Sequence, residues 1–247
     1  MNDIYLFSEP LREARLRRRK NRFIMTVELD GQEQEVHCPS TGRIGNLALE
    51  DLPCLLSSSH NPQRKTAHTV EALSLDGFDV AEKRWFGINQ TAVNRYMEYF
   101  LQRQALPRML PAGGPVAREV RLGASRLDFL VGDSYVEVKM PLQQLNLPIP
   151  AAVKTRPTAS LGLTDRLTKH MDELGASLAA HERALMVLCF LYDCPRFSPP
   201  AATDNAAVAR VMDTVARNRG LGLEFWQVNC KIDRLGVYLL DYFKLEL

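Results

Sequence analysis

The sequence lacks any long uninterrupted hydrophobic run, which excludes a membrane-spanning helix of ordinary length. Its most apolar stretch, residues 184–192, has the length of a strand, whereas a transmembrane helix needs about 20 apolar residues. The N-terminus also lacks an apolar signal core, because residues 12–22 are strongly basic. These absences predict a cytoplasmic protein with no membrane partner.

Cysteine is scarce and scattered, with five residues and no pair at the spacing of metal ligands. An odd number without paired spacing argues against a disulfide framework and against a structural zinc site. The five histidines show no ligand spacing either. A net charge of only +2 is too small to indicate a nucleic-acid-binding protein by itself.

The chain is long enough, at 247 residues with 46% hydrophobic content, for one large domain or two modest ones. Residues 23–78 predict short strands, including a hairpin around Asp30-Gly31. Short strands without a clear helix favour a small β-barrel of the OB type. We therefore predict an OB-like domain over residues 1–82.

Helical and strand patterns alternate after Trp85 and predict an α/β domain over residues 83–247. Apolar residues recur at helical spacing between residues 89 and 104, and further helices are expected at 164–181 and 206–218. Strands are expected at 116–122, 126–131, 134–139, 184–193, 223–230 and 236–240. The proline-bearing stretch from 141 to 157 is interpreted as a long loop or a poorly ordered flap.

Basic residues crowd one short segment near the N-terminus, where only Glu13 opposes them. Such a cluster can hold phosphate groups and release counterions from nucleic acid. The alternative is a solvated basic edge strand or a targeting patch. The cluster consists of Arg12, Arg15, Arg17, Arg18, Arg19, Lys20 and Arg22.

Three charged residues of the predicted hairpin 126–139 share one face, because side chains alternate along a strand. If the apolar faces of the two strands are aligned, Asp128, Glu137 and Lys139 converge. Two carboxylates can hold Mg²⁺, and a neighbouring lysine can orient water and counter phosphate charge. Glu98, on the predicted helix one turn after Asn94, is a candidate additional metal ligand. The pattern alone favours a plainer alternative, a solvated hairpin face with a Glu137–Lys139 ion pair.

The chain resembles the bacterial sugar fermentation stimulation protein A family over almost its whole length. The resemblance is carried by segments 18–23, 37–42, 61–65, 69–71, 94–98, 125–130, 135–139 and 169–174. After Lys139 the family usually reads Asn-Val-Thr-Leu, where this chain has Met140-Pro141-Leu142-Gln143.

The resemblance implies an N-terminal OB-like domain, a C-terminal PD-(D/E)xK nuclease-like domain and nucleic-acid binding with little sequence preference. By position, Asp128, Glu137 and Lys139 match the nuclease-type core, and Glu98 matches an acidic helix position. The matching basic segments contain Arg18, Arg19, Lys20, Arg22, Arg64 and Lys65, which we expect to contact nucleic acid.

The expected activity is Mg²⁺- or Mn²⁺-dependent cleavage of phosphodiesters, and the expected partner is nucleic acid, taken as DNA. One alternative is a non-enzymatic DNA-binding regulator of sugar (maltose) metabolism with a degenerate nuclease fold. Another is a module that binds protein or oligosaccharide, because a fold does not determine its ligand.

Overall fold

The computed structural model describes residues 3–143, 145–157, 165–199 and 206–247, which contain thirteen strands and three α-helices. The strands form one six-stranded and one seven-stranded sheet. In chain order the elements are β1 Ile4–Leu6, β2 Arg12–Arg19, β3 Ile24–Leu29, β4 Gln32–His37, β5 Leu52–Ser58, β6 His68–Ser74, β7 Trp85–Gly87, α1 Val93–Gln102, β8 Val116–Leu122, β9 Ser125–Val131, β10 Ser134–Lys139, α2 Asp165–Ser177, β11 Arg183–Phe190, α3 Ala206–Gly220, β12 Glu224–Ile232 and β13 Gly236–Lys244.

The first sheet, in the order β4-β3-β2-β5-β6-β7, curls into a barrel. A parallel pairing of His37 with Thr69 joins β4 to β6 and closes the sheet on itself. The predicted hairpin between β3 and β4 is confirmed: Asp30 and Gly31 have φ values of 53° and 76°, as a tight two-residue turn requires. The predicted OB-like barrel is thus present.

The basic N-terminal segment forms β2, which lies between β3 and β5 inside the barrel sheet. Buried Ala14 and Leu16 alternate with arginines that face outward. The interpretation of this segment as an edge strand is therefore wrong. Its charge is displayed from the middle of a sheet, where neighbouring strands can supply carboxylates.

The second sheet, in the order β1-β13-β12-β11-β10-β9-β8, is mixed. Its centre is parallel, since β11 pairs in parallel with both β10 and β12. Leu185 and Val187 of β11 pack on the side of α1, while Ala184 and Met186 pack on the side of α2 and α3. The strand is therefore buried on both faces, as its continuous apolar run predicts.

Helix α1 confirms the helix predicted within residues 89–104. All five residues of its predicted apolar stripe are buried: Val93, Tyr96, Met97, Phe100 and Leu101. Helices α2 and α3 lie within or near the other two predicted ranges, although Thr164 is outside the described residues. Among the described helices, none is long and apolar enough to cross a bilayer.

Two short strands lie on the other side of the predicted domain boundary, residue 82, from the sheet to which they belong. Strand β1 pairs with β13 of the second sheet, whereas β7 pairs with β6 of the barrel. The amide of Gly87 in β7 donates to the carbonyl of Leu191, 2.9 Å away. A Cβ at Gly87 would lie 2.5 Å from the Leu191 side chain, so the two units approach where only glycine fits.

The connection after β10 is a loop, as predicted, but it packs against the barrel and is not a detached flap. Backbone hydrogen bonds join it to the barrel segment 42–50, from Gly45 to Leu142 (2.7 Å) and from Ala48 to Lys154 (3.0 Å). Met140 and Leu142 are buried in the shared core. The loop therefore ties the end of β10 to the barrel.

Candidate functional site

Asp128 and Glu137 meet where the pairing of β9 with β10 ends. The paired register of these strands runs only to Phe129 and Val136. Beyond it, the amide of Val138 donates to Oδ2 of Asp128 (2.8 Å), and the amide of Asp128 donates to Oε2 of Glu137 (3.2 Å). Side-chain carboxylates thus replace backbone carbonyls, and this exchange draws the two acids together.

Glu137 is almost fully buried, with a side chain only 2% exposed. Its Oε1 accepts from Lys139 Nζ and lies 2.5 Å from Nδ1 of His170 on α2. Burial raises the pKa of Glu137, but the hydrogen bond from His170 and the charge of Lys139 outweigh burial and leave the pKa below its usual value. Glu137 is therefore an ionised carboxylate inside the protein.

Asp128 has the opposite shift. Burial and the charge of Glu137 raise its pKa above the usual range, and the hydrogen bonds that it accepts only partly offset them. Nδ2 of Asn94, from α1, donates to Oδ1 of Asp128 at 2.6 Å. The two carboxylates therefore repel each other, and a cation between them would relieve that repulsion.

One polar atom beside the pair is left without a partner. Oδ1 of Asn94 is buried and has no hydrogen bond among the residues that the structure describes. A buried acceptor without a donor costs about 1–3 kcal/mol, so such atoms commonly mark an unseen ligand or ion. Asn94 thus presents one oxygen that a proton donor or cation could use.

Glu98 does not join Asp128 and Glu137. Its carboxylate accepts from Arg118 of β8 at 2.9 Å and from Gln102 at 3.3 Å. Asn94, one helical turn earlier, is the α1 residue that reaches the acidic pair. Within the described ranges, no group of three or more His, Cys, Asp or Glu side chains is arranged to hold a metal.

The site opens onto a cavity of about 600 Å³. Asn94, Lys139 and Arg166 form part of its polar lining, and Met140 and Met171 are among the apolar residues. Lys139 is the last residue of β10, and its side chain is 30% exposed. Ligands of such sheets commonly bind outside the carboxyl ends of parallel strands, and Lys139 occupies that position.

Sequence reasoning assigned no role to Asn94 or His170, although both lie in segments that carry the family resemblance. His170 is 33 positions from Glu137 in the chain and belongs to α2, which packs on the face of the sheet opposite α1. Its only sequence signal is that a polar residue stands beside Met171 on the buried side of an amphipathic helix.

Much of the charge of the basic segment 12–22 is paired with carboxylates of the barrel. Arg17 pairs with Glu28 and with Asp51, the latter at 2.7 Å, and Lys20 pairs with Glu35. Arg19 donates to the backbone carbonyls of four residues: Asn21, Arg22, Ser40 and Gly42. The distance to the Gly42 carbonyl is 2.6 Å. Arg19 therefore supports the loops at this end of the barrel.

Four of the expected nucleic-acid contacts keep their charge available. Arg18 and Lys65 have no carboxylate partner in the part of the chain that the structure describes. The guanidinium of Arg22 stacks 4.7 Å from the ring centroid of Phe23, and Arg64 donates to the Thr69 hydroxyl at 2.9 Å. None of these contacts cancels a positive charge.

Fold and site together define a class: an OB barrel joined to a mixed α/β sheet whose paired carboxylates lie at the end of a parallel strand. Residues 18–85 match the family model "SfsA N-terminal OB domain", and residues 91–236 match "Sugar fermentation stimulation protein RE domain". The chain belongs to the sugar fermentation stimulation protein (SfsA) family.

Similar proteins are found across bacteria and in an archaeon. The homologue of Synechococcus sp. (strain JA-2-3B'a(2-13)) is 34% identical over 81% of this chain and 80% of its own. That of Synechococcus elongatus is 32% identical over 96% of both chains. The solved structure of Pyrococcus furiosus SfsA, described as a complex with Ca²⁺, covers 98% of both chains with a TM-score of 0.76 and 19% identity. This last likeness shows a common fold.

Proposed function

We propose that this protein binds nucleic acid, taken as DNA, and hydrolyses its phosphodiester bonds with the help of a divalent cation. The observation that carries the proposal is the contact of Asp128, Glu137 and Lys139 at the end of β10, beside an open cavity. This residue set and its position on the sheet support a nuclease site of the PD-(D/E)xK type. Perturbed pKa values in a cleft are typical of functional sites.

The residues fit a hard divalent cation. Mg²⁺ usually keeps several waters and is bound through one or two carboxylates together with substrate phosphates, so Asp128 and Glu137 suffice without a third acidic ligand. The unpartnered Oδ1 of Asn94 lies beside them. The description of the Pyrococcus furiosus relative as a Ca²⁺ complex supports a divalent cation in this family. For this chain we propose Mg²⁺ or Mn²⁺.

Each residue then has a role set by its contacts. A cation held by Asp128 and Glu137 would lower the pKa of bound water and stabilise charge on the phosphate. Lys139 would orient the attacking water and counter the phosphate charge from the cavity side. His170 and Asn94 hold the two carboxylates in place, as residues around metal ligands generally do.

The barrel would supply sequence-independent binding. The residues whose charge remains available, Arg18, Arg22, Arg64 and Lys65, are the ones that we propose contact phosphate groups. Arg19 and Lys20 are assigned a structural role instead, because their donors are already used within the barrel.

A second candidate function is DNA binding without cleavage, in a regulator of sugar (maltose) metabolism. One observation favours it: Oε1 of Glu137 is already occupied by Lys139 and His170, as in a structural ion cluster. In that case the carboxylate pair would be a remnant, and the barrel alone would carry the function.

Cleavage of end-labelled single- and double-stranded DNA and RNA separates the two candidates. The assay is run with Mg²⁺, with Mn²⁺ and with chelator, on the wild type, on Glu137→Gln and on Glu182→Gln, an exposed acid of the same domain. We expect metal-dependent cleavage that is lost in Glu137→Gln and kept in Glu182→Gln. Salt-sensitive binding without cleavage of any substrate would favour the regulator.

A further inference from the structure

A second cavity, of about 770 Å³, lies between the barrel and the second domain and takes no part in the site described above. Its walls come from β5, β6 and the loop between them, from the segment around Tyr5–Leu11, and from the start of α1. Its volume lies within the usual range of small-molecule sites, roughly 300–1,000 Å³.

Three cationic side chains line this cavity. Arg64 and Lys65 come from the β5–β6 loop, and Arg95 comes from the first turn of α1. The guanidinium of Arg95 lies 5.8 Å from the ring centroid of Tyr5 and 5.5 Å from that of Tyr96, and the charge of Glu71 also acts on it. Neither Arg95 nor Lys65 has a carboxylate partner among the described residues, so both charges are available to a ligand.

The two carboxylates of the cavity are already engaged. Glu71 is only 4% exposed, and its oxygens accept from Ser57 at 2.6 Å and from Asn89 at 2.7 Å. Glu9, at the rim, pairs with His60 at 3.3 Å. Ser57 and Asn89 are neutral donors and leave the negative charge of Glu71 in place. Three cationic side chains therefore stand against two carboxylates, and the cavity is net positive.

A neutral hydroxyl and a helix end add to this charge. Thr66 lines the cavity, as does Ala92 at the start of α1, the positive end of the helix dipole. The first turn of α1 contains no acidic residue to neutralise that end. Burial and the nearby charge of Arg64 lower the pKa of His37, which disfavours a further positive charge at this imidazole.

We propose that this cavity binds a nucleoside monophosphate unit, with the phosphate between Arg95 and the Arg64–Lys65 pair. A phosphomonoester carries nearly two negative charges and three acceptor oxygens, which match guanidinium, ammonium and hydroxyl donors. Tyr5 and Phe7 also line the cavity and offer ring faces on which a base can stack.

The nucleoside monophosphate unit has two possible sources: a free nucleotide, or the phosphorylated end of a nucleic-acid strand. Only the second rests on the proposed function, because it requires nucleic-acid binding. Neither source involves Asp128, Glu137 or a metal. Arg64 and Lys65 would then serve a defined phosphate pocket instead of a diffuse basic surface.

The test is equilibrium binding to the full chain in the presence of chelator, with Glu137→Gln as background so that no probe is cleaved. The probes are adenosine 5′-monophosphate, adenosine, and short oligothymidylates that carry either a 5′-phosphate or a 5′-hydroxyl. The variants are Arg95→Met and Arg64→Met, with Arg84→Met as a matched control, since Arg84 is an exposed arginine outside the cavity.

We expect a phosphate to improve binding at least about tenfold in one or both probe pairs, a difference of about 1.4 kcal/mol. The improvement should disappear in Arg95→Met and in Arg64→Met and persist in Arg84→Met. A preference confined to the nucleotide identifies a free ligand, and one confined to the oligonucleotide identifies a strand end.

Equal affinity for phosphorylated and unphosphorylated probes in the parent protein would overturn the proposal, as would a preference that all three arginine variants retain. Because the assay contains no metal, failure of the proposed cleavage would leave this result unaffected. Conversely, an active nuclease without any phosphate preference would refute the cavity proposal alone.

Discussion

The basic segment 12–22 and the acidic pair Asp128–Glu137 differ in how their charges are compensated. Seven basic residues crowd residues 12–22, on and just after β2 of the barrel, yet several are neutralised by carboxylates such as Glu28, Asp51 and Glu35. In the second domain two acids come together, a buried Glu137 and a partly buried Asp128, and they repel each other. The conspicuous cluster is largely structural, whereas the inconspicuous one is electrostatically strained.

This difference shows that charge density along the chain is a poor measure of functional potential. An exposed ion pair contributes about 0–1 kcal/mol and occupies its partners. A buried charge must be compensated by specific neighbours, and its environment shifts pKa values.

The largest expected effect concerns Lys139. Replacement by Met removes the amine that contacts Glu137 and should reduce cleavage by about a thousandfold, or about 4 kcal/mol of barrier, with a far smaller loss of nucleic-acid affinity. Lys169→Met, on the exposed side of α2, should keep full activity. An equal loss in both variants, or a parallel loss of binding, would contradict the assigned role.

His170 should matter mainly for stability in the absence of metal. His170→Ala leaves the buried Glu137 carboxylate without one of its three donors and should lower the free energy of unfolding by about 3 kcal/mol. Urea denaturation measures the change. The double variant Glu137→Gln/His170→Ala should recover part of the loss, since no buried charge remains. A double variant as unstable as the sum of the two singles would argue against the pairing.

Two adjacent arginines of β2 should separate stability from binding. Arg19→Ala removes donors to four carbonyls and should lower the free energy of unfolding by about 1–3 kcal/mol. Arg18→Ala should change it by less than about 0.5 kcal/mol but weaken nucleic-acid binding. Denaturation and anisotropy measurements on both variants test the contrast, which the reverse assignment would refute.

A smaller effect is expected for two lysines of the barrel. Lys65→Ala should reduce the slope of log affinity against log salt by about 0.9, as expected for one lost phosphate contact. Lys20→Ala should change it by less than about half of that, because Lys20 pairs with Glu35. Affinities over a series of salt concentrations give the slopes, and equal slopes for the two variants would count against this distinction.

The smallest effect is a pH dependence at Asp128. Its folded pKa is raised, so the native state binds the proton more tightly than the unfolded chain does, and wild-type stability falls as pH rises through the raised pKa. The Asp128→Asn variant has no carboxyl group at this position, so its stability does not fall for this reason as pH rises. In chelator, the stability of Asp128→Asn relative to wild type should therefore increase as pH rises from acidic to neutral. Parallel pH curves for the two proteins would show that Asp128 is not perturbed.

Much of the fold is predictable because it depends on local patterns. The turn residues Asp30 and Gly31 specify their hairpin, helical spacing specifies α1, and the continuous apolar run specifies β11. The strands that sequence patterns did not predict are short: β1 and β7 have three residues each. The strand partner of β1 is β13, from the opposite end of the chain. Pairing over such distances leaves no trace in local sequence.

The site was predictable in part for the same reason. Strand alternation places Glu137 and Lys139 on one face and hairpin register brings Asp128 beside them. The contacts of His170 and Asn94 with the acids span 33 and 34 positions and depend on how helices pack on the sheet. The neutralisation of Arg17 by Asp51, also 34 positions away, is equally long-range. Periodicity cannot reveal partners of that kind.

The carboxylates of Asp128 and Glu137 are proposed to bind a divalent cation. Calorimetric titration with Mn²⁺ tests it on the wild type, on Asp128→Asn/Glu137→Gln and on Asp133→Asn, which removes an exposed acid from the same hairpin. We predict one bound ion per chain in the wild type and in Asp133→Asn, and none in the double variant. Unchanged binding in the double variant, or no binding in the wild type, would contradict the claim.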